Sequence, residues 1–290
     1  MTNDAYILTA VQAALAAGAA ILDVYHGDFA VTHKADQSPL TEADTRSHAI
    51  IADALAASDV PVLSEEGKEI AYERRREWSA IWIVDPLDGT KEFVKRNGEF
   101  TVNIAWVQNG KPEWGVIVVP EKAILYFGGK NLGAYRLKMT DAHTPSSTVS
   151  DLLSSASSWR DLAAHSTKLA ADRGELEVYT IVGSRSHPSD ALTDFVAEKQ
   201  RQYGEVAFVS AGSSLKFCLL AEGRAHIYPR LGPTMEWDTA AGHAIAEGAG
   251  CMVTGYEGGE PLRYNKADLH NPWFVISSPL APPVPPKGAA

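Results

Sequence analysis

The stretch Trp-Ile-Val-Asp-Pro-Leu-Asp-Gly-Thr, residues 82–90, places two carboxylates, Asp85 and Asp88, at the end of an apolar run. That run predicts a buried strand. Pro86 is expected to end the strand's hydrogen-bond ladder and to keep the first acid extended. The Asp-Gly pair is a strong turn signal, and Thr90 can cap a short helix after it. Two carboxylates beside the free amides of a helix start form a rigid elbow that suits divalent cations and phosphate.

Composition excludes several classes of protein. The chain has 290 residues, of which 45% are hydrophobic, enough for one large domain or two closely packed halves. Its net charge of −10 argues against general binding to nucleic acid or anionic membranes. It has no run of 18 apolar residues, and residues 1–6 carry acid, so we expect neither a membrane span nor a secretory signal. Cys218 and Cys251 lie in apolar surroundings, which predicts buried thiols and a reducing, cytoplasmic location.

Residue periodicity predicts helices followed by strands over residues 1–140, the first of two halves. Two helices come first, and acids Glu42 and Asp44 occupy the first turn of the second helix. A short strand then ends at Glu65, and three later strands form an antiparallel meander. The predicted helices cover residues 5–25 and 41–57, and the predicted strands cover 61–64, 80–84, 101–108, 114–119 and 123–127.

A second half is predicted over residues 141–278. Its boundary with the first half falls in a segment, residues 139–158, that is rich in Ser, Thr and Asp. Strand and helix signals alternate in this second half, which is typical of an α/β arrangement. The strands are predicted at 178–182, 206–209 and 225–228, and the helices at 189–199, 213–221 and 239–247. The tail, residues 279–290, contains five prolines and is expected to be disordered.

Acidic residues lie at the ends of predicted elements in four parts of the chain. Any one such stretch is ordinarily a solvated turn, and an acid in a first helical turn can simply interact with the helix dipole. Four together, one of them the specific elbow, favour a shared site. The four are Asp36 with Asp44, Glu65 with Glu66, Asp85 with Asp88, and Glu236 with Asp238.

The residue types define the ligand chemistry of such a site. The nine histidines are scattered, and no Cys/His cluster has zinc spacing. Oxygen donors alone suit Mg²⁺ or Mn²⁺. Carboxylates gathered at one point would repel each other, so we expect two or three cations among them. Paired cations roughly 3.5–4 Å apart can stabilise both the attacking and the leaving oxygens of an in-line displacement.

Three motifs in this order resemble those of the inositol monophosphatase superfamily, the lithium-sensitive, magnesium-dependent phosphatases. The resemblance runs from about Lys34 to about Gly250. It implies a layered α-β-α-β-α sandwich with an α+β first half, an α/β second half and the site between them. The motifs are Ser64-Glu65-Glu66-Gly67, Asp85-Pro86-Leu87-Asp88-Gly89-Thr90 and Trp237-Asp238-Thr239-Ala240-Ala241-Gly242.

The resemblance also implies residue roles. Glu65 and Thr90 would position and activate the attacking water, and Asp44 would pair with the Thr90 hydroxyl. The amides of Gly89 and Thr90 would hold the phosphate. Water would attack phosphorus directly, with no phospho-enzyme. The implied ligands of Mg²⁺ are Glu65, Asp85, Asp88, Asp238 and the Leu87 carbonyl.

Within the superfamily, the chain is most similar to bacterial 3′(2′),5′-bisphosphate nucleotidases of the CysQ type. The similarity lies in residues 91–93 (Lys-Glu-Phe), 100–105 (Phe-Thr-Val-Asn-Ile-Ala) and 212–218 (Gly-Ser-Ser-Leu-Lys-Phe-Cys). It implies that the substrate contacts include Asp238 and a second-phosphate grip formed by Ser213, Lys216 and Arg230.

Residue chemistry supports that grip. Ser213 begins a predicted helix, Lys216 follows one turn later, and Arg230 can bind phosphate through two N–H groups. The ordinary alternatives are that Lys216 is a surface lysine and that Arg230 pairs with Glu236.

The expected reaction is Mg²⁺-dependent hydrolysis of adenosine 3′,5′-bisphosphate, or of its sulfated analogue, at the 3′-phosphate. Inositol phosphates or other small sugar phosphates are the alternative substrates, because they would use the same catalytic residues. A different alternative is a Ca²⁺- or nucleotide-binding module without catalysis. Against that module, the sequence has no EF-hand loop, and Glu65 with Thr90 forms a water-activating pair that binding alone does not need. The sequence makes no prediction of oligomeric state.

Overall fold

The computed structural model describes residues 3–33, 39–139, 146–172, 176–184 and 189–281. Its helices are α1 (Asn3–Tyr25), α2 (Glu42–Ala56), α3 (Tyr72–Arg75), α4 (Thr90–Val94), α5 (Ser146–Ser155), α6 (Trp159–Ala164), α7 (Asp190–Tyr203), α8 (Leu215–Ala221) and α9 (Ala240–Gly248). Its strands are β1 (Val31–His33), β2 (Pro39–Thr41), β3 (Val62–Ser64), β4 (Ala80–Asp88), β5 (Thr101–Gln108), β6 (Lys111–Val119), β7 (Ile124–Gly129), β8 (Gly133–Lys138), β9 (Thr167–Leu169), β10 (Tyr179–Ser184), β11 (Val206–Ala211), β12 (Ile227–Arg230), β13 (Met252–Gly255) and β14 (Phe274–Ser277).

A seven-stranded sheet, ordered β3-β4-β5-β6-β7-β8-β9, forms the first half. Only its β3–β4 pair is parallel; the other neighbours are antiparallel. The meander predicted from the sequence is therefore confirmed. Its first tight turn is Asn109-Gly110, where both residues adopt positive φ, as short hairpin turns require. Helices α1 and α2 cover one face with a core that includes Ile7, Ile51 and Trp82.

A five-stranded sheet, ordered β11-β10-β12-β14-β13, forms the second half. Helices α8 and α9 lie between the two sheets, and α7 covers the outer face of the second. Helix α9 packs so closely on β6 that a Cβ on Gly115 would approach the Ala241 carbonyl oxygen to 2.4 Å. The resulting order of layers, α-β-α-β-α, is the predicted sandwich.

The second half departs from the predicted α/β pattern in one respect. Strands β10, β11 and β12 are parallel, but β12, β14 and β13 pair antiparallel. Strands β8, β9, β13 and β14 had no prediction. Because β9 pairs with β8, the first sheet continues to Leu169, well beyond residue 140. The division at residue 140 stays a prediction, as does the disordered tail, of which residues 282–290 lie outside the described part.

Helix α1 is long and apolar enough to cross a membrane by length and composition alone. In the structure, half of the apolar window is buried, and the helix packs against α2, β5 and β6. Its buried residues include Ile7, Val11 and Ile21. An alanine-rich core helix accounts for the same composition, so the expectation of no membrane span stays a prediction.

Candidate active site

The acidic elbow is a β-bulge within β4. Asp85 pairs with Asn103 and Asp88 pairs with Thr101, so two residues of β4 oppose one of β5. The prediction that Pro86 ends the strand is therefore wrong. A bulged position needs no ladder N–H, and proline is tolerated there. The Leu87 N–H donates instead to Asp85 Oδ1 at 3.0 Å, which turns that carboxyl back onto its own backbone.

The turn after the bulge also differs from the prediction. Gly89, with φ of 90° and ψ of 43°, is the N-cap of α4, and Thr90 is the first helical residue rather than the cap. Only glycine adopts this left-handed conformation without cost. The Thr90 hydroxyl is thereby left for another partner and donates to Asp44 Oδ1 at 3.3 Å, as the resemblance implied.

Asp44 has a second role at the start of α2. Its Oδ2 accepts hydrogen bonds from the Thr41 N–H and the Thr41 hydroxyl, both at 2.7 Å, in a capping box. The side chain is 1% exposed. Both carboxylate oxygens are therefore held, and the one that contacts Thr90 is fixed by the helix cap.

Four carboxylates form what we call the acidic wall: Glu65, Asp85, Asp88 and Asp238. Asp85, Asp88 and Asp238 each offer a carboxylate oxygen within 4.8 Å of the others. Glu65 follows β3, and its carboxyl hydrogen-bonds that of Asp85. The bulge brings the first half's acids to the cavity, and the segment before α9 brings Asp238 from the second half.

Burial, together with repulsion from neighbouring carboxylates, raises the pKa of each aspartate in this wall. For Asp85 the main cause is burial, followed by the charges of Glu65, Asp88 and Asp238. Burial and Asp88 raise the pKa of Asp238 to about 8. Burial also raises the pKa of Asp88, although Lys216, Ser214 and Asn103 oppose the shift. Such a set of acids is unfavourable on its own and is stabilised by cations.

Two residues that the sequence analysis did not assign hold the acidic wall together. Ser214 Oγ lies 2.8 Å from both Asp88 Oδ2 and the Asp238 carbonyl oxygen. Its single hydroxyl hydrogen can be donated to either oxygen, and these two acceptors belong to different halves of the fold. Asn103 Nδ2 donates to Ser214 Oγ at 2.9 Å and to Asp88 Oδ2 at 3.3 Å. Both residues lie inside the quoted motifs, but neither residue type signals this contact by itself.

Opposite the acids lies a cationic wall, which we define as Ser213, Lys216 and Arg230. Lys216 is 5% exposed, so the alternative of a surface lysine is wrong. Its ammonium donates to the Ser213 and Ala211 carbonyls and lies 5.7 Å from the centre of the Tyr228 ring. Burial lowers its pKa to about 8, although the charge of Asp88 opposes the shift.

Arg230 does not pair with Glu236, so that alternative is wrong too. Glu236 is fully buried and accepts hydrogen bonds from Lys266 and from the Asn265 backbone. Arg230 Nη2 donates to the Pro233 carbonyl at 2.7 Å. Within the described residues, neither the buried Arg230 Nε nor the buried Ser213 Oγ has a hydrogen-bond partner.

The cationic wall and two members of the acidic wall, Asp88 and Asp238, line one cavity of about 190 Å³, whereas Glu65 and Asp85 are not part of its lining. Its lining includes Gly89 and Thr90 from the elbow and all three members of the cationic wall. It also includes the buried Glu92, to which the sequence analysis assigned no role. Glu236 lies outside it, and Asp36 falls outside the described residues. Residues far apart in sequence thus converge on a space with acids on one side and cations on the other.

The family model for the inositol monophosphatase family matches residues 3–280. The chain belongs to the inositol monophosphatase family. Among curated family members, it is 40% identical over 278 residues to the 3′(2′),5′-bisphosphate nucleotidase CysQ of Salmonella typhimurium, covering 92% of this chain and 97% of that one. The enzyme of the same name from Escherichia coli K12 is 41% identical over the same shares of the two chains.

Solved structures of the inositol monophosphatase family agree. The crystal structure of CysQ from Bacteroides thetaiotaomicron, described as a bacterial member of this family, matches with a TM-score of 0.82 and 45% identity. The match covers 95% of this chain and 98% of that one. An inositol monophosphatase from Thermotoga maritima, at 20% identity and a TM-score of 0.67, shows the fold alone.

The family is metal-dependent, and the acidic wall of this member fits a cation. Its donors are all carboxylate oxygens, which hard divalent cations prefer. The aspartates are buried close to one another; burial is the main cause that raises the pKa of each, and repulsion from neighbouring carboxylates adds to it. A cation would remove this repulsion and leave the side-chain hydrogen bonds of Ser214 and Asn103 in place.

Proposed function

We propose that this protein is a Mg²⁺-dependent phosphatase that converts adenosine 3′,5′-bisphosphate to AMP and phosphate. The sulfated analogue would be cut at the same 3′-phosphate. The relatives named CysQ at 40–41% identity support this substrate class. Both cysteines are free and buried, which supports a reducing, cytoplasmic location.

One observation carries the proposal: a single cavity holds Asp88 and Asp238 of the acidic wall together with hydrogen-bond donors of the cationic wall that lack a partner among the described residues. Ser213 Oγ and Arg230 Nε are buried and unpartnered, and Lys216 adds a buried positive charge. Buried donors without partners are costly, and an anion would satisfy them. A substrate with two phosphates can occupy both sides, one phosphate at the acids and cations of the catalytic centre and the other at the cationic wall.

We assign the cation ligands to Glu65, Asp85, Asp88, Asp238 and the Leu87 carbonyl, with two or three Mg²⁺ per site. Bound Mg²⁺ would neutralise the acids, lower the pKa of a coordinated water and stabilise charge on the phosphoryl and leaving oxygens. The Leu87 carbonyl oxygen lies 3.4 Å from Thr90 Oγ1, a long contact that it can give up because the Thr90 hydroxyl has one hydrogen and Asp44 accepts it.

The chain's own residues orient the attacking water. Thr90 donates its hydrogen to Asp44, so a lone pair of its hydroxyl oxygen is left to accept a hydrogen from water. Glu65 is the base that takes the water's proton. The hydroxide that remains attacks phosphorus, and the bond from phosphorus to the ribose 3′-oxygen breaks. The ribose 3′-oxygen then gains a proton from solvent. The products are inorganic phosphate and a free 3′-hydroxyl.

The anchoring groups lie on both sides of the reacting phosphate. The N–H groups of Gly89 and Thr90 stand at the start of α4, where a helix terminus favours an anion. The cationic wall would bind the 5′-phosphate and hold the nucleotide in one orientation.

The test is a substrate panel at fixed Mg²⁺ that measures phosphate release. We expect adenosine 3′,5′-bisphosphate and its sulfated analogue to have kcat/KM at least about 100-fold above inositol 1-phosphate, since a charged second-phosphate contact is worth a few kcal/mol. EDTA should abolish release from all three. Equal kcat/KM for inositol 1-phosphate would overturn the substrate assignment, and full activity in EDTA would overturn the metal assignment.

A further inference from the structure

Helix α2 contacts three separate segments of the site with one face. Asp44, Ser47 and His48 stand at spacings of three and four residues, which places them side by side on a helix. Asp44 accepts from Thr90 at 3.3 Å, as described above. The other two side chains reach segments that carry proposed cation ligands, and neither has a role in the proposed chemistry.

Ser47 binds the bulge of β4. Its hydroxyl donates to the Pro86 carbonyl oxygen at 2.7 Å, and the residue is fully buried. Pro86 lies between Asp85 and Leu87, where the pairing of β4 with β5 is interrupted. A bulge takes its residues out of the regular ladder, so their orientation depends on other contacts. The hydrogen bond from Ser47 is such a contact, and it joins the bulge to a rigid helix.

His48 binds the other strand that carries a carboxylate. Its Nδ1 lies 2.9 Å from Ser64 Oγ, within hydrogen-bond distance. Ser64 is the last residue of β3 and immediately precedes Glu65. The Glu65 N–H donates to the Val84 carbonyl at 3.1 Å, so backbone and side-chain contacts together fix this strand end.

We propose that Ser47 and His48 are positioning residues for cation binding. Ser47 fixes the bulge that bears Asp85 and Leu87, and His48 fixes the strand end that bears Glu65. Neither residue contacts the cation or the substrate. Together with Asp44, they make one face of α2 the common support for the catalytic threonine and for two of the segments that carry ligands. This inference rests on the proposed metal-dependent function.

The experiment compares S47A with a matched control, S58A. Ser58 is 6% exposed and donates to the Leu55 carbonyl at 2.6 Å just after α2. It also accepts from the Trp82 indole N–H at 2.9 Å, so its removal costs buried hydrogen bonds away from the bulge. Thermal unfolding is measured without substrate over a range of Mg²⁺ concentrations, and the readout is the Mg²⁺ concentration that gives half of the maximal rise in Tm.

We expect S47A to need at least about tenfold more Mg²⁺ than wild type, and S58A to match wild type despite a lower Tm in EDTA. Equal Mg²⁺ requirements for S47A and wild type would overturn the inference. So would equal increases in S47A and S58A, because general destabilisation would explain both. If wild type shows no Mg²⁺-dependent rise in Tm, the proposed metal site itself fails, and the inference fails with it.

His48 provides a second variant in case S47A does not fold. H48A should raise the Mg²⁺ requirement severalfold and lower kcat more than it changes KM for the nucleotide. H48N, whose side-chain amide can stand near the position of Nδ1, should recover most of the loss. The control is H165A, which removes an exposed histidine whose Nδ1 lies 2.9 Å from the Asp161 carbonyl. An H48A enzyme with wild-type Mg²⁺ dependence would overturn the role of His48. If S47A also fails to fold, the same H48A result would overturn the inference as a whole.

Discussion

The acidic and cationic walls meet at one cavity, through Asp88 and Asp238 of the acidic wall, but are held in different ways. In the acidic wall, Asp85 and Asp88 lie on an interior strand of the seven-stranded sheet, and side chains from β5 and the start of α8 contact Asp88. In the cationic wall, Lys216 and Arg230 bind backbone carbonyls of nearby residues. Asp88 is fixed by contacts from distant elements, whereas Lys216 and Arg230 are fixed by backbone carbonyls within five residues of them in sequence.

This difference indicates separate roles for the two walls. A centre that must hold cations in one geometry needs ligands on rigid elements. A grip for a second phosphate needs buried positive charge and free donors, which side chains held by such local contacts can present. The acidic wall should therefore determine whether the reaction occurs, and the cationic wall should determine which substrates react.

The largest effect should come from Asp88→Asn, which removes one charge from the centre of the acidic wall. We expect kcat/KM to fall on the order of 1,000-fold, because loss of a cation ligand removes several kcal/mol of charge stabilisation. Circular dichroism and Tm in EDTA should show a folded protein. Asp59→Asn, at an exposed position, is the control. Wild-type-like activity of Asp88→Asn would contradict the role of the acidic wall.

Lys216→Ala should separate the two walls. We expect KM for adenosine 3′,5′-bisphosphate to rise roughly 100-fold, since a buried charge-assisted contact is worth about 1.5–3 kcal/mol. Hydrolysis of a monophosphate should change at least about tenfold less. Lys95→Ala, on an exposed lysine after α4, should leave both substrates unaffected. Equal losses for the two substrates would show that the cationic wall does not select the second phosphate.

The acidic wall should also make the cation-free protein sensitive to pH. Between the ordinary carboxyl pKa of about 4 and the Asp238 pKa of about 8, the folded state holds protons that the unfolded chain has released. The stabilisation that these bound protons give the folded state is complete at low pH and is lost as pH rises towards 8. One such proton changes the free energy of unfolding by about 1.4 kcal/mol per pH unit, or roughly 2 kcal/mol from pH 6 to pH 7.5.

Urea unfolding in EDTA across this pH range measures that slope. Saturating Mg²⁺ should reduce the slope, because bound cations keep the carboxylates ionised in the folded state. Asp238→Asn should reduce it in EDTA as well. A protein whose stability in EDTA rises from pH 6 to pH 7.5 would contradict the raised carboxyl pKa values.

Ser214→Ala should have the smallest effect of the four changes. It removes the hydroxyl shared by Asp88 and the Asp238 backbone, but Asn103 still contacts Asp88. We expect kcat/KM to fall about tenfold, near the value of one hydrogen bond to a charged group. Ser155→Ala, on the exposed end of α5, is the control. A loss as large as that of Asp88→Asn would mean that Ser214 belongs to the chemistry rather than to its support.

The sequence predicted the acids better than their surroundings. Asp85, Asp88 and Asp238 stand in contiguous motifs, so their convergence could be predicted from resemblance and confirmed in the structure. The bulge could not, because Pro86 as a strand terminator and Pro86 as a bulge residue leave the same local pattern. Thr90 was predicted as a cap for a similar reason: the left-handed backbone at Gly89 moves the cap by one residue.

Contacts between distant segments were the other gap. Ser47, Asn103 and Ser214 are short polar residues with many possible partners, and only the folded chain shows which oxygen each one meets. Strands β13 and β14, of four residues each, were missed, although β12 of the same length was predicted from its place between two predicted helices. The layered fold was still predictable, since it depends on the long periodic elements and not on these short ones.

The tight packing at Gly89 has a consequence for substrate length. A Cβ built on Gly89 would lie 3.2 Å from the Ser213 Cβ, so the two phosphate-binding loops are nearly in van der Waals contact. Under the proposed function, the separation between the two bound phosphates is then set by two backbone segments that are packed against each other. The site would select nucleotides by the spacing of their two phosphates. Bisphosphates with a longer spacer would be excluded at the binding step, because their phosphates could not reach both loops.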